Sequence, residues 1–421
     1  MKNEYSGFRR LSLWIWVFSA LCLPFSARSQ PDPCSLAWTL VTATNPPGKL
    51  SGQSSAYDSR RHVAVFFGGA RDNNLLNSSR STWEWNGVNW EEKKPSIHPP
   101  SRLDGAMTFD DTRGVCVLFG GNSFDLLNGT IIEFNDTWEW DGSTWTLNQE
   151  SDLSATNRPP YLQSPVMAYD SARKRTVLIG YPGGTWEWDG TNWSEHAAPP
   201  LRVEAAMAYD SVRRVTVLFG GTLGGNLLND TWTWDGTNWT LVATGQPPGR
   251  RQHAMTFDSG RQVMVMFGGN ADNRLLAPQF NDTWEWNGQS WSLAAYADRF
   301  GLSSRTGHQI WYDTGGRKML LFGGLHAELN ADGSYGDVEA HADLWEARSP
   351  GYWVDFNAPG LPSFPETGYI NQPFNTLAEA VSSATAGCTL NLKVGSRAEV
   401  LTISKPLTLE AYYGPATIGR Q

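Results

Sequence analysis

Apolar residues recur along the chain in short runs that follow a polar turn and end at glycine. In one unit, Asp210-Ser211-Val212-Arg213 is followed by Val215-Thr216-Val217-Leu218-Phe219 and then glycine. Asp and Ser bond their own backbone in tight turns, and β-branched or aromatic runs favour strands. Each unit therefore predicts a β-hairpin, whose strands we call a and b. The Asp residues lie ten residues before the glycines in all six units: Asp58, Asp110, Asp170, Asp210, Asp258 and Asp313, followed by Gly68, Gly120, Gly180, Gly220, Gly268 and Gly323.

A second hairpin follows in the first five units. Trp-x-Trp is separated from a further Trp by Asn-Gly or Asp-Gly, which supplies the positive φ angles of a tight turn. These segments predict strands c and d. Four antiparallel strands in about 50 residues are typical of a β-propeller blade. Because the Trp residues occupy strict repeat positions, we predict that they pack between blades. The three Trp of each unit are Trp83/Trp85/Trp90, Trp138/Trp140/Trp145, Trp186/Trp188/Trp193, Trp232/Trp234/Trp239 and Trp284/Trp286/Trp291.

The sixth unit has its first three strands but no obvious strand d. Near the N-terminus, Trp38-Thr39-Leu40-Val41 precedes Pro46-Pro47-Gly48 at the spacing that separates Trp239 from Pro247. We therefore predict that the N-terminal strand completes the last blade and closes the ring, which removes an exposed sheet edge. The alternative makes Tyr352-Trp353 the last strand and leaves Trp38 without a place. We favour closure by Trp38.

These units resemble the kelch repeat. The resemblance rests on a strand ending in Gly-Gly, a variable loop, an aromatic strand and a final Trp, and it covers roughly residues 36–350. It implies an all-β fold with a six-bladed propeller, which we assign to residues 30–350. It also implies a binding scaffold, as in most members, or an oxidase, as in a few. Blade 3 departs from the pattern because its b–c loop is nearly absent.

The N-terminus has the pattern of a signal peptide. Lys2, Arg9 and Arg10 precede an apolar run, residues 11–23, that is shorter than the ~20 residues a spanning helix needs. We predict a signal peptide over residues 1–29, cleaved near Ser29, and a secreted, extracellular or periplasmic protein without a membrane span. A lipoprotein anchor at Cys22 is the weaker alternative. The net charge of −9 disfavours binding to nucleic acid or to anionic lipid.

The regular spacing of Trp residues does not continue in residues 351–421. A helical pattern over 373–384 precedes alternating strands at 390–394, 401–403 and 407–409. The segment resembles the opening of a right-handed parallel β-helix, which implies a short capping helix and one or two coils. A solenoid needs about three repeats to bury a core, so we predict a truncated domain: either a fragment, or an exposed end that pairs with a partner. The other cysteines, Cys34, Cys116 and Cys388, form neither a disulfide framework nor a metal-binding pattern.

Ligand binding is expected on the face that carries the b–c loops and the d–a crossings, because variable loops on a rigid ring usually bind. Four arginines occupy one repeat position there, and two histidines follow three residues later. The arginines predict a cationic ring for a carboxylate or acidic sugar, or pairing between blades; the histidines predict a metal site or a structural role. We favour the structural alternative for both sets: Arg102, Arg202, Arg250, Arg305, His253 and His308.

The b–c loop of blade 6 resembles a calcium-binding loop. Glu328, Asn330, Asp332 and Glu339 supply oxygen ligands at positions 1, 3, 5 and 12, with Gly333 at position 6. Calcium is therefore the one cofactor that the sequence suggests. The departures are Glu at position 1 and the absence of flanking helices. A polar surface loop is the alternative that we favour.

The sequence predicts a secreted or cell-surface binding or scaffold protein for a glycan or protein ligand. A carbohydrate-active enzyme of the galactose-oxidase type and a structural surface or matrix protein are the alternatives. The oxidase needs a Cys joined to a Tyr beside copper, and no cysteine here stands in a suitable position. A sialidase is also disfavoured, because its repeat is Ser-x-Asp-x-Gly-x-x-Trp, whereas Asp-Gly-x-x-Trp here lacks the spacer between Asp and Gly.

Overall fold

The computed structural model describes residues 36–71, 74–272, 278–296, 301–329, 335–348, 352–354, 377–383, 389–393 and 408–412. The predicted signal peptide, Cys22 and Cys34 lie outside these residues. Among the described residues, no helix is long and apolar enough to cross a membrane.

The repeat forms a six-bladed β-propeller, and each blade is a four-stranded antiparallel sheet. The predicted fold class is therefore confirmed. In blades 1 to 3, strands a to d are Ser54–Asp58, Val63–Phe67, Thr82–Trp85 and Trp90–Lys93; Ala106–Asp110, Val115–Asp125, Thr130–Trp140 and Trp145–Gln149; and Gln163–Asp170, Arg175–Tyr181, Thr185–Trp188 and Trp193–His196. In blades 4 and 5 they are Ala206–Asp210, Val215–Phe219, Thr231–Trp234 and Trp239–Ala243; and Ala254–Asp258, Val263–Phe267, Asp282–Trp286 and Trp291–Tyr296.

Blade 6 is closed by the N-terminal strand, as predicted. Its first three strands are Gln309–Asp313, Lys318–Phe322 and Leu344–Arg348, and Ala37–Val41 pairs antiparallel with the last of these. Trp38 Nε1 donates a hydrogen bond to Thr283 Oγ1 of blade 5 at 3.1 Å, and its ring packs on Phe267 with centroids 5.5 Å apart. The N-terminal strand therefore makes the contacts of an ordinary strand d.

The hydrophobic core lies between neighbouring blades. The Phe that ends strand b packs on the strand-d Trp of the next blade, as Phe67 does on Trp145 at 5.1 Å and Phe119 on Trp193 at 5.4 Å. The same Trp donates its Nε1 hydrogen to a buried Thr of the preceding blade. These donations join Trp145 to Thr82, Trp193 to Thr137, Trp239 to Thr185 and Trp291 to Thr231, all at 2.8–2.9 Å.

The contact between blades 6 and 1 differs, because Leu344 stands where the other blades have Thr. Trp90 Nε1 has no hydrogen-bond partner among the described residues. Phe66 instead contacts three aromatic rings edge-on, those of Trp90, Trp311 and Phe322, at 5.1–5.5 Å. Aromatic packing thus replaces the hydrogen bond at the junction next to the closed blade.

The b–c connections vary from blade to blade, as predicted. Strands b and c of blade 2 continue outwards as a long hairpin, whereas three residues join them in blade 3. Short strands pair within three other b–c connections: Ala70–Arg71 with Asn74–Ser78 in blade 1, Thr222–Leu223 with Asn226–Leu227 in blade 4, and Leu325–Leu329 with Tyr335–Ala340 in blade 6. Leu50–Ser51, in the crossing that precedes blade 1, pairs with Ala70–Arg71.

The C-terminal segment contains parallel strands and the one α-helix of the described residues. Tyr352–Val354 pairs with Thr389–Lys393, which pairs with Thr408–Tyr412, and the helix spans Leu377–Ser383. Tyr352-Trp353 therefore does not complete blade 6, and the alternative closure is wrong. The strand predicted at 401–403 lies outside the described residues.

Candidate functional site

The face with the a–b and c–d turns is occupied by internal ion pairs. Asp58 Oδ1 accepts hydrogen bonds from the turn amides of Arg60 and Arg61, and Arg61 then bridges Asp58 to Glu84 at 2.6 and 2.8 Å. Trp140 of the next blade also donates to Glu84 at 2.9 Å. The equivalent Asp–Arg–Glu sets in blades 2, 3 and 5 repeat this arrangement. These charged groups therefore pair with one another within and between blades.

The four arginines on the opposite face are buried in bidentate ion pairs. Arg102 binds both carboxylate oxygens of Asp136 at 2.7 and 2.8 Å, and it also donates to the Gly120 carbonyl at 2.8 Å. The backbone carbonyl of Arg102 accepts from Gly69 of the preceding blade. Each arginine therefore links strands b and c of its own blade, and the backbone carbonyls of Arg102, Arg250 and Arg305 also bind the preceding blade. The other three pairs are Arg202–Asp230, Arg250–Asp282 and Arg305–Asp343.

Comparison between blades shows that the two partners occur together. Leu50 stands at the arginine position in blade 1, where Ser81 replaces the aspartate. Leu162 stands there in blade 3, where Gly184 replaces it. The carboxylate is absent wherever the guanidinium is absent, as expected if an unpaired buried charge is costly. Sequence reasoning missed the aspartates, although this paired loss was the signal for them. A ligand-binding role for the arginines stays a prediction, but their donors already have partners.

Ion pairing also determines the charge state of the aspartates. Burial raises the pKa of Asp230, but hydrogen bonds from Arg202 and Trp232 outweigh it, so the pKa lies below its ordinary value. Asp343 behaves in the same way through Arg305 and Trp345. Both carboxylates therefore remain ionised and keep their arginines paired.

His253 and His308 are buried where strand a begins, and each packs edge-on against a Phe of the preceding blade. No ring nitrogen of either histidine has a hydrogen bond of good geometry among the described residues. Burial and the nearby Arg305 lower the pKa of His308 to about 3, although the Phe267 carbonyl and Asp343 oppose this shift. Burial, Arg250 and His308 lower the pKa of His253 well below its ordinary value. Metal binding by these two histidines stays a prediction.

We expect His308 to make the protein less stable in mild acid. As the pH falls below 6.5, the unfolded chain binds a proton at this position, but the folded chain does not until about pH 3. The free energy of unfolding therefore falls with pH across that window, by up to about 1.4 kcal/mol per unit. Blade 1 has glutamine at the equivalent position, residue 53. Guanidinium unfolding at pH 7 and 5.5 should show a loss about 1 kcal/mol smaller for His308→Gln than for the wild type. Equal losses in both proteins would contradict this assignment.

A ring of left-handed residues surrounds the mouth of the channel on the loop face. Each lies six residues before the repeated Asp, and amides in this ring donate to the carbonyl of the preceding blade, as Asp104 does to Gly52 at 2.8 Å and Gln252 to Glu204 at 2.9 Å. These backbone hydrogen bonds link neighbouring blades around the mouth. The ring residues are Gly52, Asp104, Ser164, Glu204, Gln252 and Gly307.

Polar side chains on two sides of this mouth form separate clusters. Asp104 is exposed at the mouth, but protein atoms crowd around its carboxyl group and displace water from it, which raises its pKa to about 6. The charge of Glu204 adds to the rise, whereas a hydrogen bond with Asn122 opposes it. Tyr161 shares the Asn122 side chain. Across the mouth, Glu204 accepts from Arg251 at 2.6 Å and from Gln252 at 2.8 Å. The mouth thus offers carboxylate, amide and phenol groups near each other, a set that hydrogen-bonds polar ligands.

The long hairpin of blade 2 carries exposed aliphatic side chains at its tip. Leu126 and Leu127 are 69 % and 95 % exposed, and Ile131 is 65 % exposed. Sequence analysis predicted variable loops on this face but missed this tip. The signal was a leucine pair after a polar residue in a b–c loop, which also occurs in blades 1, 4 and 5 as Leu75-Leu76, Leu227-Leu228 and Leu275-Leu276.

The predicted calcium loop is only partly described. Asn330 and Asp332 lie outside the described residues. Glu328 belongs to strand Leu325–Leu329, and Glu339 belongs to the strand that pairs with it, Tyr335–Ala340. The Oε1 atom of Glu339 lies 3.6 Å from Nζ of Lys49. Within the described residues, no group of three or more His, Cys, Asp or Glu is arranged to hold a metal ion. Calcium binding stays a prediction.

No protein-family model and no curated protein matches the chain. Solved structures do match it. A structure of a protein named YjhT aligns with 70 % of this chain and 95 % of its own length, at a TM-score of 0.50 and 14 % sequence identity. At this identity the likeness supports the propeller fold and nothing about the ligand.

Proposed function

We propose that the protein is a secreted or cell-surface binding protein of the kelch type, which holds its ligand on the face with the b–c loops and d–a crossings. The distribution of exposed apolar side chains carries this proposal. Two of them, Val88 and Val212, lie in the turns of the opposite face. Nine lie on the loop face: Ile97, Leu126, Leu127, Ile131, Ile132, Leu153, Tyr181, Leu201 and Leu223. Exposed apolar patches on a rigid scaffold mark interaction sites.

A protein ligand explains these side chains better than a glycan does, because sugars stack on exposed aromatic rings whereas the repeated Trp residues here are packed between blades. The polar mouth around Asp104, Asn122 and Tyr161 supports a glycan as the second candidate ligand. An oxidase of the galactose-oxidase type is a weaker alternative. Cys116 is fully buried between blades 1 and 2, and burial raises its pKa well above the ordinary value.

A structural role remains an alternative through the C-terminal segment. We propose that residues 351–421 begin a parallel β-helix, supported by the stacking of Tyr352–Val354, Thr389–Lys393 and Thr408–Tyr412 in parallel register. In this alternative the parallel strands of the segment pair with a partner in a surface matrix.

The loop face is tested by charge substitutions on opposite faces of the full chain. Leu201→Arg with Leu223→Arg should abolish binding of any ligand found on a glycan array or in a random peptide library. Val88→Arg with Val212→Arg, on the turn face, should leave that binding unchanged. Circular dichroism should show that both variants fold. Binding that survives the loop-face substitutions and disappears with the turn-face substitutions would place the site on the other face.

A further inference from the structure

We propose that the tip of the blade-2 hairpin, residues 125–132, is the anchor by which this propeller docks on a basic, amphipathic protein surface. This inference rests on the proposed binding function and names the class of partner. The hairpin extends strands b and c past the end of the blade, and its pairing continues from Asn122–Glu133 to Asp125–Thr130.

The tip is held in one conformation by its own hydrogen bonds. Asp125 Oδ1 accepts from the amides of Leu127 and Asn128 at 2.9 and 3.3 Å, and its Oδ2 accepts from the Asn128 side chain at 2.6 Å. The Gly129 amide closes the turn on the Asp125 carbonyl at 2.8 Å with a φ of +66°. An ordered tip loses less conformational entropy when it binds than a mobile loop does.

The base of the hairpin is also fixed. The buried side chain of Asn135 donates to the carbonyls of Asp152 and Pro159 in the next crossing, at 2.9 and 3.1 Å. The Ser123 hydroxyl lies 3.0 Å from that of Ser78 in the adjacent hairpin of blade 1. The leucines at the tip are therefore carried by a hairpin whose base is held in place by hydrogen bonds.

The exposed apolar side chains on this hairpin indicate a macromolecular partner. Ile131 and Ile132 are adjacent in one strand, so their side chains leave on opposite faces of the hairpin. Both are nevertheless exposed, at 65 % and 43 %. Together with Leu126 and Leu127 they give an apolar tip that is accessible from both sides and can pack against the apolar face of a partner.

The charges around the tip define the partner further. Residues 120–136 contain Asp125, Glu133 and Asp136 but no Lys, Arg or His. Asp136 is neutralised by Arg102, whereas Glu133 is exposed and has no ion pair among the described residues. A second copy of this chain, with a net charge of −9, would meet like charges here. A partner surface with Lys and Arg beside apolar side chains complements an acidic apolar tip, and the opposite charges would speed association.

The probe is a synthetic 18-residue amphipathic peptide of Leu and Lys, with a Leu and Glu peptide of the same pattern as its charge control. We expect the full chain to bind the Leu/Lys peptide and not the Leu/Glu peptide, with binding weakened by added salt. Leu126→Ser with Leu127→Ser should weaken binding by tenfold or more, because the apolar contact is lost. Leu241→Ser, an exposed leucine on the outer strand of blade 4, is the matched control and should bind like the wild type.

Three results would overturn the proposal: equal binding of both peptides, equal binding by the double serine variant and the wild type, or binding of anionic vesicles that depends on the same leucines. The double substitution affects exposed side chains, so circular dichroism should show an unchanged fold. Ligand binding that is lost with Leu201→Arg and Leu223→Arg but kept in the double serine variant would refute this anchor and leave the loop-face function intact.

Discussion

Replacing Trp38 by alanine is expected to lower the free energy of unfolding by about 3–5 kcal/mol. Trp38 is buried, packs on Phe267 and donates to Thr283 of blade 5. The substitution leaves a cavity, removes the hydrogen bond and weakens the strand that closes blade 6 against Leu344–Arg348. Detachment of that strand would expose a sheet edge and open the ring. Guanidinium unfolding followed by circular dichroism measures the loss.

Two further substitutions make this result specific. Leu40→Ala lies on the same strand, where its side chain is 55 % exposed, and it should change stability by no more than about 0.5 kcal/mol. Trp145→Ala removes the equivalent Trp of blade 2, which is buried to the same extent as Trp38 and donates to Thr82 in the same way. If the N-terminal strand is a true strand d, Trp38→Ala and Trp145→Ala should lower the free energy of unfolding by similar amounts. A Trp38 variant as stable as the Leu40 variant would contradict closure by this strand.

The blade count and the closure could be predicted because both depend on spacing along the chain. The ten-residue interval from Asp to Gly and the Trp-to-Pro spacing after Trp38 repeat locally, and repeated hairpins stack in chain order. The blade-2 hairpin could not be predicted in the same way. Residues 131 and 132 are both apolar and both exposed, so the alternation that identifies a half-buried strand is missing there.

The ion pairs of the buried arginines could not be predicted from spacing along the chain. Their repeat position was recognised, and pairing was the favoured interpretation, but the partner of Arg102 lies 34 residues away and belongs to another motif. Asp136 also accepts from Trp138 Nε1 at 2.7 Å, so one aspartate serves two donors. A single repeat reveals neither contact. The absence of both the arginine and the aspartate from blades 1 and 3 does indicate that the two residues pair, because either one alone would be a costly buried charge.

Because blades 1 and 3 lack both the arginine and the aspartate, we predict a large coupling free energy between Arg102 and Asp136. Arg102→Leu leaves the buried carboxylate without its counter-ion, and Asp136→Ser leaves the buried guanidinium without its own, so each should cost about 3–5 kcal/mol. The double variant carries the residues that blade 1 has, Leu50 and Ser81. We expect it to be more stable than either single variant, with a coupling of about 2 kcal/mol or more in a double-mutant cycle.

A surface ion pair in the neighbouring strand provides the control for this cycle. Lys94 and Glu92 lie 3.8 Å apart, with the lysine side chain 82 % exposed. Water screens that pair, so its coupling should stay below about 1 kcal/mol. If the Arg102–Asp136 cycle gave a coupling as small as the surface pair, the buried arginines would not be held by their aspartates. They would then be available to a carboxylate or acidic sugar, as the cationic-ring interpretation requires. A large coupling would instead show that these charges hold the blades together, and it would move the search for the ligand to the mouth and to the blade-2 hairpin.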